Sequence, residues 1–238
     1  MAARSETIAN VVTAVAGLAI VVVVGTTVWR NAPERSAAGA PELWKPVEPV
    51  SELSLADTVI RGAANAQLVF VELADFQCPA CGQYARETFP RIVREFVDTG
   101  VVKYVFLNHP NVAARPQAFR ASEAAECAGM QGAYWPMHDL LFNNQSYADD
   151  ATLIAYASSV GTDDKAFRAC LQSGARARVE AHLARGKSFS VSSTPTFLLG
   201  RMDGDTVRIF GKIVGAHPYD AFRVVLQAQI KILARAVS

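Results

Sequence analysis

The chain has 238 residues, which is enough for one large domain or two small ones, and 51% of them are hydrophobic. Its 23 basic and 22 acidic residues give a net charge of +1. This excludes the basic excess by which proteins hold a nucleic-acid backbone. Four cysteines are also too few for a small scaffold built on disulfides.

The amino-terminal segment predicts a membrane anchor. Residues 8–28 include no charged residue, and a helix of this length spans roughly 31 Å, close to the hydrocarbon thickness of a bilayer. Such a long apolar stretch favours an uncleaved anchor over a cleaved signal peptide. Basic residues stand on both sides of the segment, so charge alone does not decide its orientation.

The following residues predict an extended tether. Residues 31–56 show no apolar periodicity and contain four prolines: Pro33, Pro41, Pro46 and Pro49. The predicted organisation is therefore a cytoplasmic stub and transmembrane anchor over residues 1–30, a proline-rich tether over 31–56, and a folded domain over 57–238.

The rest of the chain predicts strands and helices in an order typical of an α/β fold. Residues 68–73 are a nearly continuous apolar run, which suits a strand buried on both faces. Apolar residues at helical spacing follow, and then a second apolar run over 101–107. This order favours two parallel strands joined by a crossover helix. Residues from about 114 to 191 predict helices throughout, and a hairpin and a final helix complete the chain.

Cys78 and Cys81 lie where the first buried strand leads into a helix. Unpaired N–H groups and the helix dipole stabilise negative charge at that position, so the pKa of Cys78 should be low. Pro79 suits the first helical turn, where its missing N–H has no partner to lose. Cys81, one turn further on, can attack a mixed disulfide at Cys78, so the pair can cycle between dithiol and disulfide.

Two other uses of this cysteine pair find less support in the sequence. A zinc site needs two further ligands, and Cys127 and Cys170 are isolated in helical stretches. Haem attachment needs a histidine after Cys81, where Gly82 stands. Redox chemistry is therefore favoured, and neither a metal nor a cofactor is expected.

The segment ELADFQCPAC, residues 72–81, resembles the active-site segment of DsbA-like thiol–disulfide oxidoreductases. The helical block resembles that family's helical insertion, and STPTF, residues 193–197, is similar to its cis-proline loop. The resemblance runs from about residue 56 to the carboxyl end, and it departs at Ser193, where family members often carry glycine. It implies an α/β, thioredoxin-like fold with an inserted all-helical subdomain, here preceded by a single amino-terminal transmembrane helix.

The resemblance also implies a role for each residue of the site. Cys78 would attack and hold the mixed disulfide, and Cys81 would resolve it. Pro195 would be cis, and Thr194 would offer backbone hydrogen bonds to an extended substrate. Glu72 would be a buried acid that assists proton transfer at the second cysteine, with a solvent-facing strand residue as the alternative.

Three further residues carry expectations. Phe76 is expected to border the catalytic groove and contact the substrate. Cys127 and Cys170 are expected to form a structural disulfide, as in some members of the family, with two buried free thiols or a second redox pair as the alternatives. Such a disulfide is worth roughly 4 kcal/mol in the chain-entropy model and favours an oxidising compartment.

The leading functional hypothesis is a dithiol oxidase that introduces disulfides into unfolded exported proteins. It would be held by its membrane anchor with the catalytic domain outside the cytoplasm, on the periplasmic or cell-surface side. A quinone-linked membrane partner would restore its disulfide, and the chain is expected to be a monomer that binds no nucleic acid. A disulfide reductase or isomerase of the same fold, and a non-catalytic peptide-binding or chaperone domain, are the alternatives.

Overall fold

The structure is a computed structural model that describes residues 44–146 and 149–237. A mixed six-stranded sheet has the order β1-β6-β5-β3-β4-β2. Its strands are β1 (Trp44–Ser54), β2 (Val59–Arg61), β3 (Leu68–Ala74), β4 (Val102–Asn108), β5 (Thr196–Asp203) and β6 (Thr206–Val214).

Helices follow β3, fill the chain between β4 and β5, and end the chain. They are α1 (Pro79–Glu87), α2 (Phe89–Ile92) with a π-helical turn (Val93–Val97), α3 (Ala118–Gly129), α4 (Tyr134–Asn143), α5 (Asp150–Ser159), α6 (Asp164–Ser173), α7 (Arg176–Ser188) and α8 (Tyr219–Val237). The first two are separated at Thr88, because Pro90 has no N–H with which to continue the hydrogen bonds of α1. Helices α3 to α7 form the expected helical insertion.

Strand β3 lies inside the sheet, parallel to β4 and antiparallel to β5. All of its residues are buried, which explains its unbroken apolar run. Successive side chains point to opposite faces, so Phe70 and Glu72 share one face while Val71 and Leu73 share the other. The parallel β3–β4 pair confirms the predicted strand–helix–strand unit.

Helices cover both faces of the sheet and bring the insertion to the cysteine pair. On one face, sheet residues pack against α2 and α8, as Phe70 does against Phe222. The other face packs against Phe189 and Val191, which follow α7. A further apolar cluster contains both cysteines of the pair together with side chains of the insertion helices. The reactive end of the sheet is therefore enclosed by the insertion.

The predicted tether is wrong over residues 44–54. These residues form β1, which pairs antiparallel with β6. The register shifts between Pro46 and Ser51, so the prolines fall in an irregular part of an outer strand, where proline is tolerated. Such a strand shows little apolar alternation, which is why the sequence pattern did not reveal it. Residues 31–43 lie outside the described residues.

The predicted localisation requires a correction. Within residues 44–146 and 149–237, no helix has both the length and the apolar character needed to cross a bilayer. The long helix α8, for example, contains four charged residues: Asp220, Arg223, Lys231 and Arg235. This finding contradicts the membrane-anchored, extracytoplasmic placement. The segment on which that placement was based, residues 8–28, lies outside the described residues.

Candidate active site

Cys78 and Cys81 lie at the junction of β3 and α1. Cys78 has an extended backbone and immediately precedes α1, and Pro79 occupies the first turn of that helix. Both cysteines are free thiols; Cys78 is 7% exposed and Cys81 is fully buried. Cys78 is therefore the more exposed member of the pair.

Hydrogen bonding and burial separate the pKa values of the two thiols. A hydrogen bond from the Cys81 thiol is the largest of the effects that lower the pKa of Cys78 to about 5, and burial acts in the opposite direction. Hydrogen bonds from Thr194 and from the backbone N–H groups of Cys81 and Ala80 lower this pKa further. Burial raises the pKa of Cys81 well above its ordinary value, and the sulfur of Cys78 and the charge of Glu72 raise it further. At neutral pH, Cys78 is a thiolate and Cys81 a thiol.

The peptide between Thr194 and Pro195 lies against this pair. The bond is cis, and the carbonyl oxygen of Thr194 is 3.4 Å from Sγ of Cys78. The carbonyl of Pro195 accepts a hydrogen bond of 2.8 Å from the N–H of Gly215, which fixes the loop against the end of β6. The fold thus joins the two segments that carried the sequence resemblance.

Glu72 is buried within the sheet, with 1% of its surface exposed. One carboxyl oxygen accepts a hydrogen bond from the hydroxyl of Tyr104, and the other has no hydrogen-bond partner among the described residues. Burial raises the pKa of Glu72 to about 8 in spite of the bond from Tyr104. The solvent-facing alternative is therefore wrong, and the charge of this buried acid acts on Cys81.

Phe76 does not border a groove. Its side chain is 0% exposed and stacks on Phe106 with the ring centroids 5.3 Å apart. It also contacts Phe142 and His138 of α4. The prediction that Phe76 contacts the substrate is therefore wrong, because the insertion covers this position.

Cys127 of α3 and Cys170 of α6 form a disulfide that joins two helices of the insertion. Their sulfurs are bonded to each other, so they do not supply thiolates to a zinc site with Cys78 and Cys81. In the described part of the chain, no group of three or more His, Cys, Asp or Glu residues has an arrangement that could hold a metal ion.

The sequence analysis missed a buried ion pair beside Cys78. The carboxylate of Asp75 is fully buried and accepts hydrogen bonds from the backbone N–H groups of Gln77 and Asn111 and from Nε of Arg115, at 2.8, 2.9 and 2.8 Å. These bonds tie the residues before Cys78 to the loop that follows β4. The available signal was the position of Asp75 directly after a buried strand, because a buried carboxylate needs hydrogen-bond donors or a positive charge beside it.

Gln145, which follows α4, was also not predicted from the sequence. Its Nε2 donates hydrogen bonds to the carbonyl oxygens of Phe76 and Cys78, at 2.8 and 2.9 Å. Nothing in the sequence around Gln145 marks it. The one indirect signal is Gly82, because a glycine inside a helix is unfavourable unless something approaches it closely.

Several solved structures share this fold. Alpha-DsbA1 of Wolbachia pipientis superimposes with a TM-score of 0.68 at 21% identity, over 77% of this chain and 96% of that one. Oxidised BdbD of Bacillus subtilis gives 0.64 at 22% identity, over 76% and 97%. The catalytic domain of Proteus mirabilis ScsC gives 0.58 at 20%, over 74% and 90%. The shared architecture includes the insertion, as those structures are matched over nearly their whole length.

A thiolate–thiol pair before a helix, opposed by a cis Thr-Pro peptide, defines a thiol–disulfide oxidoreductase of the thioredoxin fold. A family model described as Thioredoxin matches residues 54–216. The chain belongs to this thioredoxin family, and its assignment as a DsbA-like thiol–disulfide oxidoreductase is confirmed.

Curated relatives share only this part of their length. The Na(+)/H(+) antiporter NhaA 3 of Salinispora tropica is 36% identical over 165 residues, which are 69% of this chain and 24% of that protein. The antiporter NhaA of Herminiimonas arsenicoxydans is 37% identical over 155 residues, or 62% and 24%. The chain spans about a quarter of the length of these relatives.

Proposed function

We propose that this chain is a dithiol oxidase, in which the disulfide form of the Cys78–Cys81 pair accepts two electrons from two substrate thiols. A substrate thiolate attacks Sγ of Cys78, which forms a mixed disulfide and releases Cys81, and Cys81 takes up a proton. The second substrate thiol loses its proton and attacks the substrate sulfur of the mixed disulfide. The products are a substrate disulfide, the Cys78 thiolate and the Cys81 thiol.

The observation that carries the direction of this reaction is the low pKa of Cys78, about 5. Stabilising the thiolate stabilises the reduced enzyme, which makes its disulfide a stronger oxidant. A thiolate of low pKa is also a good leaving group when the substrate disulfide forms. A reductase needs the opposite balance, with the disulfide form favoured.

The position of the Thr194 backbone beside Cys78 supports a substrate that binds in an extended form. The carbonyl of Thr194 lies 3.4 Å from Sγ of Cys78, and an extended segment bound there could exchange main-chain hydrogen bonds as an added strand does. Unfolded proteins that carry cysteine thiols meet this requirement. Among the similar structures, alpha-DsbA2 of Wolbachia pipientis is a thiol–disulfide exchange protein.

Glu72 is the proposed proton source for Cys81. With a pKa of about 8 it carries a proton at neutral pH. Once it has given up that proton, its negative charge raises the pKa of Cys81 and so favours the protonated thiol. As Cys81 leaves the disulfide, it becomes a buried thiolate whose pKa is strongly raised, and it therefore needs a proton. The quinone-linked partner that would reoxidise the enzyme stays a prediction.

The test is the redox potential of the full-length chain against glutathione, combined with oxidation of a dithiol peptide. We expect a potential more oxidising than that of glutathione and catalytic oxidation of the peptide. Cys78→Ser should abolish oxidation. In Cys81→Ser, the Cys78 thiolate should attack the disulfide form of the peptide, release one peptide thiol and accumulate as the mixed disulfide, because no second cysteine is present to resolve it. A redox potential more reducing than that of glutathione would indicate a reductase. Activity that survives in Cys78→Ser would indicate a non-catalytic peptide-binding domain.

A further inference from the structure

Gln145 reaches from the insertion to the turn that holds Cys78. Its Nε2 lies 2.8 Å from the carbonyl oxygen of Phe76 and 2.9 Å from that of Cys78. The carbonyl of Cys78 also accepts the first hydrogen bond of α1, from the N–H of Gly82 at 3.0 Å. A single amide group therefore holds two main-chain positions of the active-site turn.

Gly82 provides the space for this amide. A Cβ atom at Gly82 would lie 2.6 Å from Cδ of Gln145, which is far closer than van der Waals contact allows. Any other side chain at position 82 would displace the amide. Glycine is less favourable than alanine inside a helix, so the close approach of Gln145 gives a physical reason for Gly82.

Gln145 is part of a wider contact between α1 and the end of α4. Arg86 of α1 donates a hydrogen bond of 2.7 Å from Nη1 to the carbonyl of Phe142. The ring of Phe142 in turn lies 4.8 Å from that of Phe76. The insertion therefore contacts both the active-site turn and the helix that follows it through hydrogen bonds.

We propose that Gln145 is a positioning residue for the Cys78 thiolate, through which the insertion controls the reactivity of the redox pair. By holding the carbonyls of Phe76 and Cys78, it fixes the backbone that presents Sγ to the N–H groups of Ala80 and Cys81. Those groups stabilise a negative sulfur only in the correct geometry, because hydrogen bonds weaken steeply when misaligned. The proposal rests on the proposed function only in that Cys78 is the reactive cysteine, and it is independent of the direction of electron transfer.

Gln145→Met is the test variant, because methionine keeps the length and bulk above Gly82 and removes both hydrogen bonds. Gln83→Met is the matched control on exposed α1 surface, where the amide of Gln83 donates to Glu87 at 3.1 Å. The rate of alkylation of the reduced, full-length chain as a function of pH reports the thiolate of Cys78. The equilibrium with glutathione reports the redox pair.

In Gln145→Met we expect the alkylation midpoint to rise by about half a pH unit or more, and the glutathione equilibrium to move about threefold or more towards the disulfide form. Gln83→Met should leave both unchanged. If Gln145→Met only lowers the melting temperature and leaves the midpoint and the equilibrium unchanged, Gln145 has a merely structural role and the proposal is overturned.

Gly82→Ala tests the same contact without altering Gln145. It should raise the midpoint in the same direction as Gln145→Met. Added to Gln145→Ala it should produce no further rise, since the other group that the new Cβ approaches, Nη1 of Arg86 at 2.8 Å, donates to Phe142 and not to the carbonyls of Phe76 and Cys78. Independent, additive shifts would overturn the proposal. Activity that survives in Cys78→Ser would refute the proposed function instead, so the two failures are distinguishable.

Discussion

Glu72 and Cys78 have pKa values shifted in opposite senses by their surroundings. The sulfur of Cys78 receives hydrogen bonds that favour its anion, so its pKa falls to about 5. Glu72 is enclosed by the sheet, which favours its neutral form and raises its pKa to about 8. Between these values the site contains one thiolate and one protonated acid, which are the two forms that the proposed reaction requires.

Glu72→Gln should change how stability depends on pH. From about pH 4.5 to about pH 8 the folded protein keeps a proton on Glu72 that the unfolded chain releases, so the free energy of unfolding falls with rising pH. The fall attributable to Glu72 is on the order of 5 kcal/mol, since one pKa unit is worth about 1.4 kcal/mol. Urea denaturation at pH 5, 7 and 9 should show a much flatter profile for Glu72→Gln.

Glu87→Gln on the exposed side of α1 is the control for this experiment and should keep the pH profile of the unmodified chain. A Glu72→Gln variant with an unchanged slope would contradict the raised pKa of Glu72.

The residues of the candidate redox pair were readable from the sequence, whereas the residues that hold them in place were not. Cys78, Cys81 and Pro195 stand in short motifs whose chemistry depends on local order along the chain. Gln145 acts across a sequence distance of 67 residues on Cys78, and no local pattern records that contact. Phe76 failed as a prediction for the same reason, because a helix distant in sequence buries it.

At the scale of elements, β1 makes one especially close side-chain contact with β6. The ring of Trp44 lies directly over Gly211, where an added Cβ would overlap it, and it lies 6.0 Å from the ring of Phe210. Gly211→Ala should therefore displace the tryptophan and lower the free energy of unfolding by about 1–3 kcal/mol, the usual range for overpacking. It should also make residues 44–54 sensitive to proteases.

Chemical denaturation and limited proteolysis would measure both effects. In a Trp44→Ala background, Gly211→Ala should have a much smaller effect, because the ring that it would strike is gone. Equal losses in both backgrounds would show that this contact does not hold β1 in place.

The disulfide between Cys127 and Cys170 joins α3 to α6 across a sequence separation of 43 residues. Removing it in a Cys127→Ala/Cys170→Ala double variant should lower the free energy of unfolding by about 4 kcal/mol, because the unfolded chain regains the entropy of the open loop. The alkylation midpoint of Cys78 should stay near pH 5. Unchanged denaturation, or a shifted midpoint, would contradict a purely structural role for this disulfide.

Elements with strong apolar patterns were predictable, and those defined by pairing were not. Strands β3 and β4 are buried along their whole length, so their composition alone marks them. Strand β1 contains prolines and lies at the edge of the sheet, where burial imposes little pattern. Its existence depends on β6, which lies more than 150 residues later in the chain.

For the molecule as a whole, the redox state of the pair should change stability. The folded dithiol form keeps Cys78 ionised from about pH 5 upward, while the unfolded chain ionises it only near its ordinary, higher pKa. The free energy of unfolding of the dithiol form should therefore rise with pH over that interval, and the disulfide form has no such contribution.

Melting curves of the two forms at pH 5 and pH 7.5 would measure this difference. We expect the dithiol form to gain stability relative to the disulfide form as the pH is raised. A constant difference between the two forms would show that the Cys78 thiolate is not stabilised by the fold.

The two outer strands of the described sheet bear on the proposed function, in which the chain acts on unfolded polypeptides. Strand β1 is broken up by Pro46 and Pro49, and β2 is three residues long. Neither edge offers the long, continuous row of main-chain donors and acceptors that nucleates intermolecular sheets. If the chain acts on unfolded proteins, as proposed, neither edge of the described sheet would template their aggregation.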